Sequence, residues 1–230
     1  MLQGALEGQL YHQLVSEFPD LETLLCVRGP QSNGQCFCNA AHVLGNPHIS
    51  RRWQDFFEQH TSATFYRELV SLFGDVIEEN HPALCKRIGK PLAEFKTSIR
   101  NIEPMTDIAL DCQFVYNAPS ETPKCIRGPH LDRAVALYAG LLYFPLEGDV
   151  AVGGDLDLYH CVDGIPAVGP NRSIPTETLQ KVTTVTYEQN TLVLFPHSDH
   201  SVHGVSVREP SRWPRLHVNL LGEVATDLYS

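Results

Sequence analysis

Residues 127–133 read Arg127-Gly128-Pro129-His130-Leu131-Asp132-Arg133 and lead straight into an apolar run, Ala134 to Phe144. If that run is a β-strand, His130 and Asp132 leave the same face, because successive side chains alternate across a sheet. Two legs of a metal site then stand at its mouth, and the reading of the fold turns on whether a third ligand and a scaffold follow. With 11 histidines and 12 aspartates in 230 residues, roughly 0.6 His-x-Asp pairs arise by chance, so the pair decides nothing alone. A second pair, His197-Ser198-Asp199, lies inside the His-rich run 196–203 and makes Asp199 with His197 and His203 a rival ligand set.

Around this stretch the sequence reads as β. Ile108, Leu110, Cys112, Phe114 and Tyr116 alternate with Ala109, Asp111, Gln113, Val115 and Asn117, the period of a strand with one buried face. Further strands are expected at 134–144, 155–159, 182–187, 191–195, 202–207 and 216–221, separated by turns rich in Gly, Pro and Asn. No helical pattern lies between them to make a parallel crossover, so the predicted core is an antiparallel jelly roll.

The N-terminal part is helical instead. Ser62 is placed to cap a helix in which Phe65, Leu69, Leu72, Phe73, Val76 and Ile77 recur at the period of one apolar face, and a shorter helix carries Trp53, Phe56 and Phe57. Residues 1–26 fit a helix followed by a strand or turn. Gly29-Pro30 and Ser32-Asn33-Gly34 mark loops. Cys36 and Cys38 have no matching Cys or His pair at zinc spacing and read as buried or idle thiols. His60 and His81, beside helix ends, read as cap or surface residues. The expected fold class is therefore mainly β with an α-helical N-terminal buttress. A single domain spans 1–230, with its helical part at about 1–104 and its core at about 105–223.

Composition bounds the partners. The formal charge of −10 disfavours nucleic acid, whose binding depends on a dense Lys/Arg surface, and a small molecule or peptide is expected instead. No apolar run approaches a bilayer span, and the N-terminus lacks a signal-peptide pattern. With 7 irregularly spaced cysteines, these features point to a cytoplasmic protein with reduced thiols.

The order of elements then selects among the histidines. His130-Leu131-Asp132 and its strand are followed by Gly153-Gly154-Asp155-Leu156-Asp157-Leu158-Tyr159, by Asn190 to Phe195, by His203-Gly204-Val205, and by Arg215 opening the strand Leu216 to Leu221. This order resembles the iron(II)/2-oxoglutarate-dependent dioxygenases, in particular their prolyl-hydroxylase-like branch, over about residues 107–223. The resemblance implies a double-stranded β-helix with His130, Asp132 and His203 as iron ligands. It implies Arg215 as partner of the distal carboxylate of 2-oxoglutarate, with Tyr143 reaching the same group. His217 falls where many relatives place a small hydroxyl residue, so its part at the cosubstrate is left open.

Implied too are Fe(II), 2-oxoglutarate and O2 as cofactors. Their reaction decarboxylates the keto acid to succinate and CO2 and most often hydroxylates an unactivated carbon. The chemistry of the residues agrees: two imidazoles and one carboxylate leave three positions open on an octahedral ion, and Arg supplies a two-pronged donor for a carboxylate. Asp132 disfavours halogenation, because halogenating relatives replace this carboxylate. Candidate substrate contacts are Arg127 and Arg133, flanking the pair, and Gln113 and Asn117 on the strand leading to it. The alternative is a non-catalytic cupin-like metal- or ligand-binding module, which has no need of a keto-acid anchor at Arg215.

Overall fold

A computed structural model describes residues 1–29, 34–162, 164 and 168–229. The expected loop residues Pro30, Ser32 and Asn33 lie outside the described residues. The N-terminal part contains strand β1 (Leu2–Gln3), helices α1 (Gly8–Ser16) and α2 (Leu21–Arg28), strand β2 (Gln35–Asn39) and helix α3 (Ala40–Val43). Helices α4 (Arg51–His60), α5 (Ala63–Asn80) and α6 (Leu84–Ile88) and strand β3 (Thr97–Ile99) complete it. Beyond them lie β4 (Ile108–Asn117), β5 (Ala136–Tyr143), β6 (Leu156–Cys161), β7 (Leu179–Val185), β8 (Thr191–Pro196), β9 (His203–Val205) and β10 (Arg215–Val224).

The larger sheet runs β1-β8-β5-β10-β4-β2 with antiparallel pairing throughout, and β3 joins β4 in parallel. A smaller antiparallel sheet, β7-β6-β9, faces it across a cavity of about 570 Å³ lined from both. The molecule is thus mixed helix and sheet with antiparallel sheets, compatible with a jelly roll. The helical share makes it less purely β than the strand count suggests, and where residues 1–26 are expected to give a helix followed by a strand or turn, a second helix, α2, follows α1 instead.

Register places the chemistry. In β10 against β4, Leu216, Val218 and Leu220 stand opposite Tyr116, Phe114 and Cys112, while Arg215, His217 and Asn219 stand opposite Asn117, Val115 and Gln113. The first set belongs to the apolar core under α1 and α4, and the second lines the cavity. A slip of one residue would exchange the two faces, so burial of the apolar set pins the polar set inward. β4 is buried on both faces rather than one, since the cavity side is itself covered.

The buttress forms as its caps dictate: the Ser50 hydroxyl accepts from Trp53 N, and Ser62 accepts from Phe65 N. α5 buries Tyr66, Leu69 and Ile77, while Leu72 and Val76 of the expected stripe are 72% and 44% exposed. Only a narrow arc of α5 meets the sheet. His81, expected as a cap or surface residue, does cap α5 but is buried, and its Nε2 donates to His197 O at 2.8 Å. Cys36 and Cys38 are buried in the core beside β4. Among the described residues no helix is long and apolar enough to cross a membrane.

Trp53 is fully buried at the centre of that core. Its Nε1 donates to Leu14 O at 3.1 Å, and its ring meets Phe18, Phe56, Phe57, Phe114 and Phe144. Trp53→Ala is expected to cost about 3–5 kcal/mol of unfolding free energy, read from the urea midpoint, because the aromatic cluster cannot collapse into so large a void.

Candidate functional site

The centre of the site is a pair of backbone hydrogen bonds. His130 N donates to His203 O at 2.9 Å and His203 N donates to His130 O at 3.1 Å. A residue pair that exchanges both bonds is held directly opposite, and the two imidazole centroids lie 4.3 Å apart. Each ring is oriented by a local carbonyl: His130 Nδ1 bonds Gly128 O at 2.9 Å and His203 Nδ1 bonds Ser201 O at 3.0 Å. Carbonyls only accept, so each Nδ1 donates, and each Nε2 is the atom left to face Asp132 or a cation.

Asp132 completes the group. Its Oδ1 lies 3.5 Å from His130 Nε2 and its Oδ2 3.7 Å from His203 Nε2. One ligand atom from each of the three residues lies within 4.8 Å of the others, and among the described residues this is the one group of its kind. The rival set is not assembled: Asp199 contacts His200 at 3.5 Å and stays outside the group. Burial pushes the Asp132 pKa up, but the imidazoles, led by His130, reverse this and hold the carboxyl well below its usual range. Burial lowers His203 to about 4 despite the attraction of Asp132. An ionised carboxylate and a neutral imidazole are the protonation states that metal ligation needs.

His197 faces this carboxylate from beyond the triad. It is fully buried, with Nε2 3.2 Å from Asp132 Oδ2 and Nδ1 3.3 Å from both Ser201 Oγ and Tyr229 Oη. In the sequence it is one of several histidines in a single loop, and only the fold separates it from His200, which is exposed.

Arg215, 2% exposed, also lines the cavity. Its Nε donates to Gly154 O at 2.7 Å and its Nη1 to His217 Nδ1 at 3.0 Å, while Nη2 has no partner. The guanidinium packs on Tyr143 and Tyr187, 5.2 and 4.9 Å from their ring centroids. Tyr187 is committed, its hydroxyl donating to Leu216 O at 3.0 Å and accepting from Leu216 N at 2.7 Å. The buried Tyr143 hydroxyl has no partner. Accepting from Arg215 requires a neutral His217, and burial and the adjacent guanidinium hold its pKa well below the ordinary value.

A buried cation and a buried hydroxyl without partners cost free energy that an anion would recover. Gly154 makes room for this arrangement: φ is +78°, and a Cβ there would lie 3.3 Å from Arg215 Cδ. Tyr187 and Gly154 carry no sequence signal that links them to Arg215.

Gln113, Asn117, Arg127 and Arg133 all line the cavity. Three are already engaged. Gln113 Nε2 donates to Asp111 Oδ2 at 2.7 Å, Asn117 bonds Gln35 at 2.9 Å and Arg215 O at 3.3 Å, and Arg133 donates to Glu223 at 3.1 Å. Arg172, absent from the expected set, also lines the cavity, and its Nε is buried without a partner.

The neutral His203 sets a pH dependence. Unfolded, it takes up a proton near its ordinary 6.5; folded, only near 4. The unfolded state therefore binds more protons in between, and stability falls as pH drops from about 6.5 to 4. For the metal-free protein this single group accounts for about 3 kcal/mol at the acid end, and His217 acts in the same direction. Urea midpoints from pH 7 to 4.5 are expected to fall, and His203→Gln to flatten the fall.

No protein-family model and no curated protein matches the chain. Solved structures do. The chain is similar to a protein of Shewanella oneidensis classed as an oxygenase, at 11% identity and TM-score 0.50, covering 96% of this chain and 77% of that one. It is similar to a prolyl-4-hydroxylase of Pseudomonas putida at 13% identity and TM-score 0.47, covering 97% and 90%. A prolyl hydroxylase of Trichoplax adhaerens, solved with a hypoxia inducible factor peptide fragment, gives 15% identity and TM-score 0.46, covering 99% and 84%. At such identities the likeness is one of fold, and it is the fold of the Shewanella protein that this chain shares.

Proposed function

We propose that the chain is an Fe(II)/2-oxoglutarate-dependent oxygenase, a single domain with a jelly-roll core at about 105–223 behind a helical part at about 1–104. It hydroxylates an unactivated carbon of a small molecule, amino acid or peptide. One observation carries the reading. The cavity holding the His130, Asp132 and His203 group is lined also by a buried guanidinium, Arg215, with no carboxylate within ion-pair distance among the described residues. A cupin-like metal binder gives no reason to bury Arg215 unpaired, whereas a keto acid that ligates the metal and carries a second carboxylate supplies its missing partner.

In this reading His130, Asp132 and His203 would hold Fe(II) through the two Nε2 atoms and a carboxylate oxygen. When bound, the iron and keto acid couple O2 reduction and oxidative decarboxylation, giving succinate and CO2, to oxidation of a substrate C–H bond. The remaining residues orient and exclude. Arg215 Nη2 and Tyr143 Oη donate to the far carboxylate. His217 stays neutral, so that it accepts from Arg215 instead of repelling it. Ala139, Leu141, Leu156 and Val205 give the cavity an apolar wall, which limits water around a reactive centre.

Anaerobic addition of Fe(II) and 2-oxoglutarate is expected to produce the weak visible charge-transfer band of a metal-chelated keto acid. His130→Ala should abolish it. Arg215→Ala should raise the half-saturating keto-acid concentration by about 100-fold, the scale of about 3 kcal/mol for breaking a buried charge pair. A metal-binding protein that shows no band, or a band indifferent to Arg215, is the outcome expected of the cupin-like alternative.

A further inference from the structure

Besides Arg215, four arginines line the cavity, and they are not equivalent. Arg100 pairs with Asp111 at 3.4 Å and Glu223 at 3.3 Å, and Arg133 pairs with Glu223 at 3.1 Å, so these two are neutralised by carboxylates of the sheet. Arg127 and Arg172 have no carboxylate within 4.0 Å among the described residues. The Arg172 Nε is in addition buried with no hydrogen-bond partner.

Both are pinned to the ligand segments by their backbones. Arg172 O accepts from Leu131 N at 3.0 Å, between His130 and Asp132, and Arg127 O accepts from Val205 N at 2.8 Å, two residues after His203. Residues 129–131 thus run between the Arg172 segment on one side and β9 on the other, with His130 bridged to both Ser173 and His203. Both residues are thus carried on backbone segments hydrogen-bonded to the segments of His130 and His203, and both line the cavity.

Charge decides what they are for. With the keto acid in place, the two charges of Fe(II) and that of Arg215 are cancelled by Asp132 and the two keto-acid carboxylates. Arg127 and Arg172 remain as two uncompensated cations on one cavity of a protein with a net charge of −10. Such a pair is not the by-product of a basic surface, and planar guanidinium groups match oxyanions in fork geometry.

We infer that Arg127 and Arg172 form a substrate-anchoring site for an oxyanion, so that the oxidised molecule carries a carboxylate or phosphate group held in the cavity. The inference rests on the oxygenase reading for its word substrate, but the anion site stands on its own residues. About 570 Å³ accommodates a keto acid and a second small molecule together, within the ordinary size of a ligand pocket.

The test is binding measured by melting temperature with Mn(II) at constant ionic strength, with and without saturating 2-oxoglutarate. The probes are a panel of N-acetyl amino acids, the matching N-acetyl amino acid amides, and inorganic phosphate. Members of the acid panel, or phosphate, should raise the melting temperature where the amides do not. Arg127→Gln and Arg172→Gln should each weaken that binding at least tenfold, while Arg127→Lys and Arg172→Lys, which keep the charge and guard against misfolding, should retain part of it. A response to the acids identifies a carboxylate substrate and a response to phosphate alone a phosphorylated one. Acids and amides behaving alike, no response to any anion, or Gln variants that bind within twofold of wild type would overturn the proposal. The melting-temperature rise given by 2-oxoglutarate itself, and its loss in Arg215→Ala, reports separately on the oxygenase reading.

Discussion

The reciprocal backbone pair between His130 and His203 is the constraint on which the rest of the site depends. Two residues 73 positions apart in sequence are brought opposite one another by ladder hydrogen bonds of 2.9 and 3.1 Å. Asp132 then needs only the two-residue repeat of an extended chain to meet both rings. The close approach leaves no room beside it: a Cβ on Gly204 would lie 2.9 Å from Pro129 N. The spacing of His130, Asp132 and His203 is thus a property of the backbone, with the two imidazoles oriented afterwards by the Gly128 and Ser201 carbonyls.

The second constraint is the buried guanidinium of Arg215 in the same cavity. Arg215 sits opposite Asn117 because Leu216, Val218 and Leu220 are committed to the apolar core under α1 and α4. The helical buttress therefore does more than cover a sheet, since its aromatic cluster sets the register that turns Arg215, His217 and Asn219 inward. Packing on Tyr143 and Tyr187 and bonds to Gly154 and His217 occupy most of the guanidinium and leave Nη2 open. An arginine placed for structure alone would be expected to have that donor satisfied.

Much of this was legible in the residues. The period-two pattern of 108–117 coincides with β4, and His130, Asp132 and His203, named from the sequence, lie together in the fold. What was not legible is tertiary. Nothing local distinguishes His197 from His200, yet one is buried against Asp132 and the other exposed. Tyr187 acts through the backbone of Leu216, and Arg172 through a bridge to the His130 segment, neither of which leaves a sequence period. β2 pairs with β4 only because the chain returns there, and Gln35–Asn39 is too short to announce itself. Leu72 and Val76 satisfy helical periodicity and remain exposed because the arc of α5 that meets the sheet is narrower than its apolar stripe.

Whether His130, Asp132 and His203 form one metal site is decided by titration of Mn(II), followed by electron paramagnetic resonance under non-oxidising conditions. One ion per chain is expected, bound at least tenfold more weakly after single replacement of His130, Asp132 or His203 by Ala and unchanged by Asp199→Ala. Retention of the ion in Asp132→Ala, together with its loss in Asp199→Ala, would instead place the site in the His-rich loop.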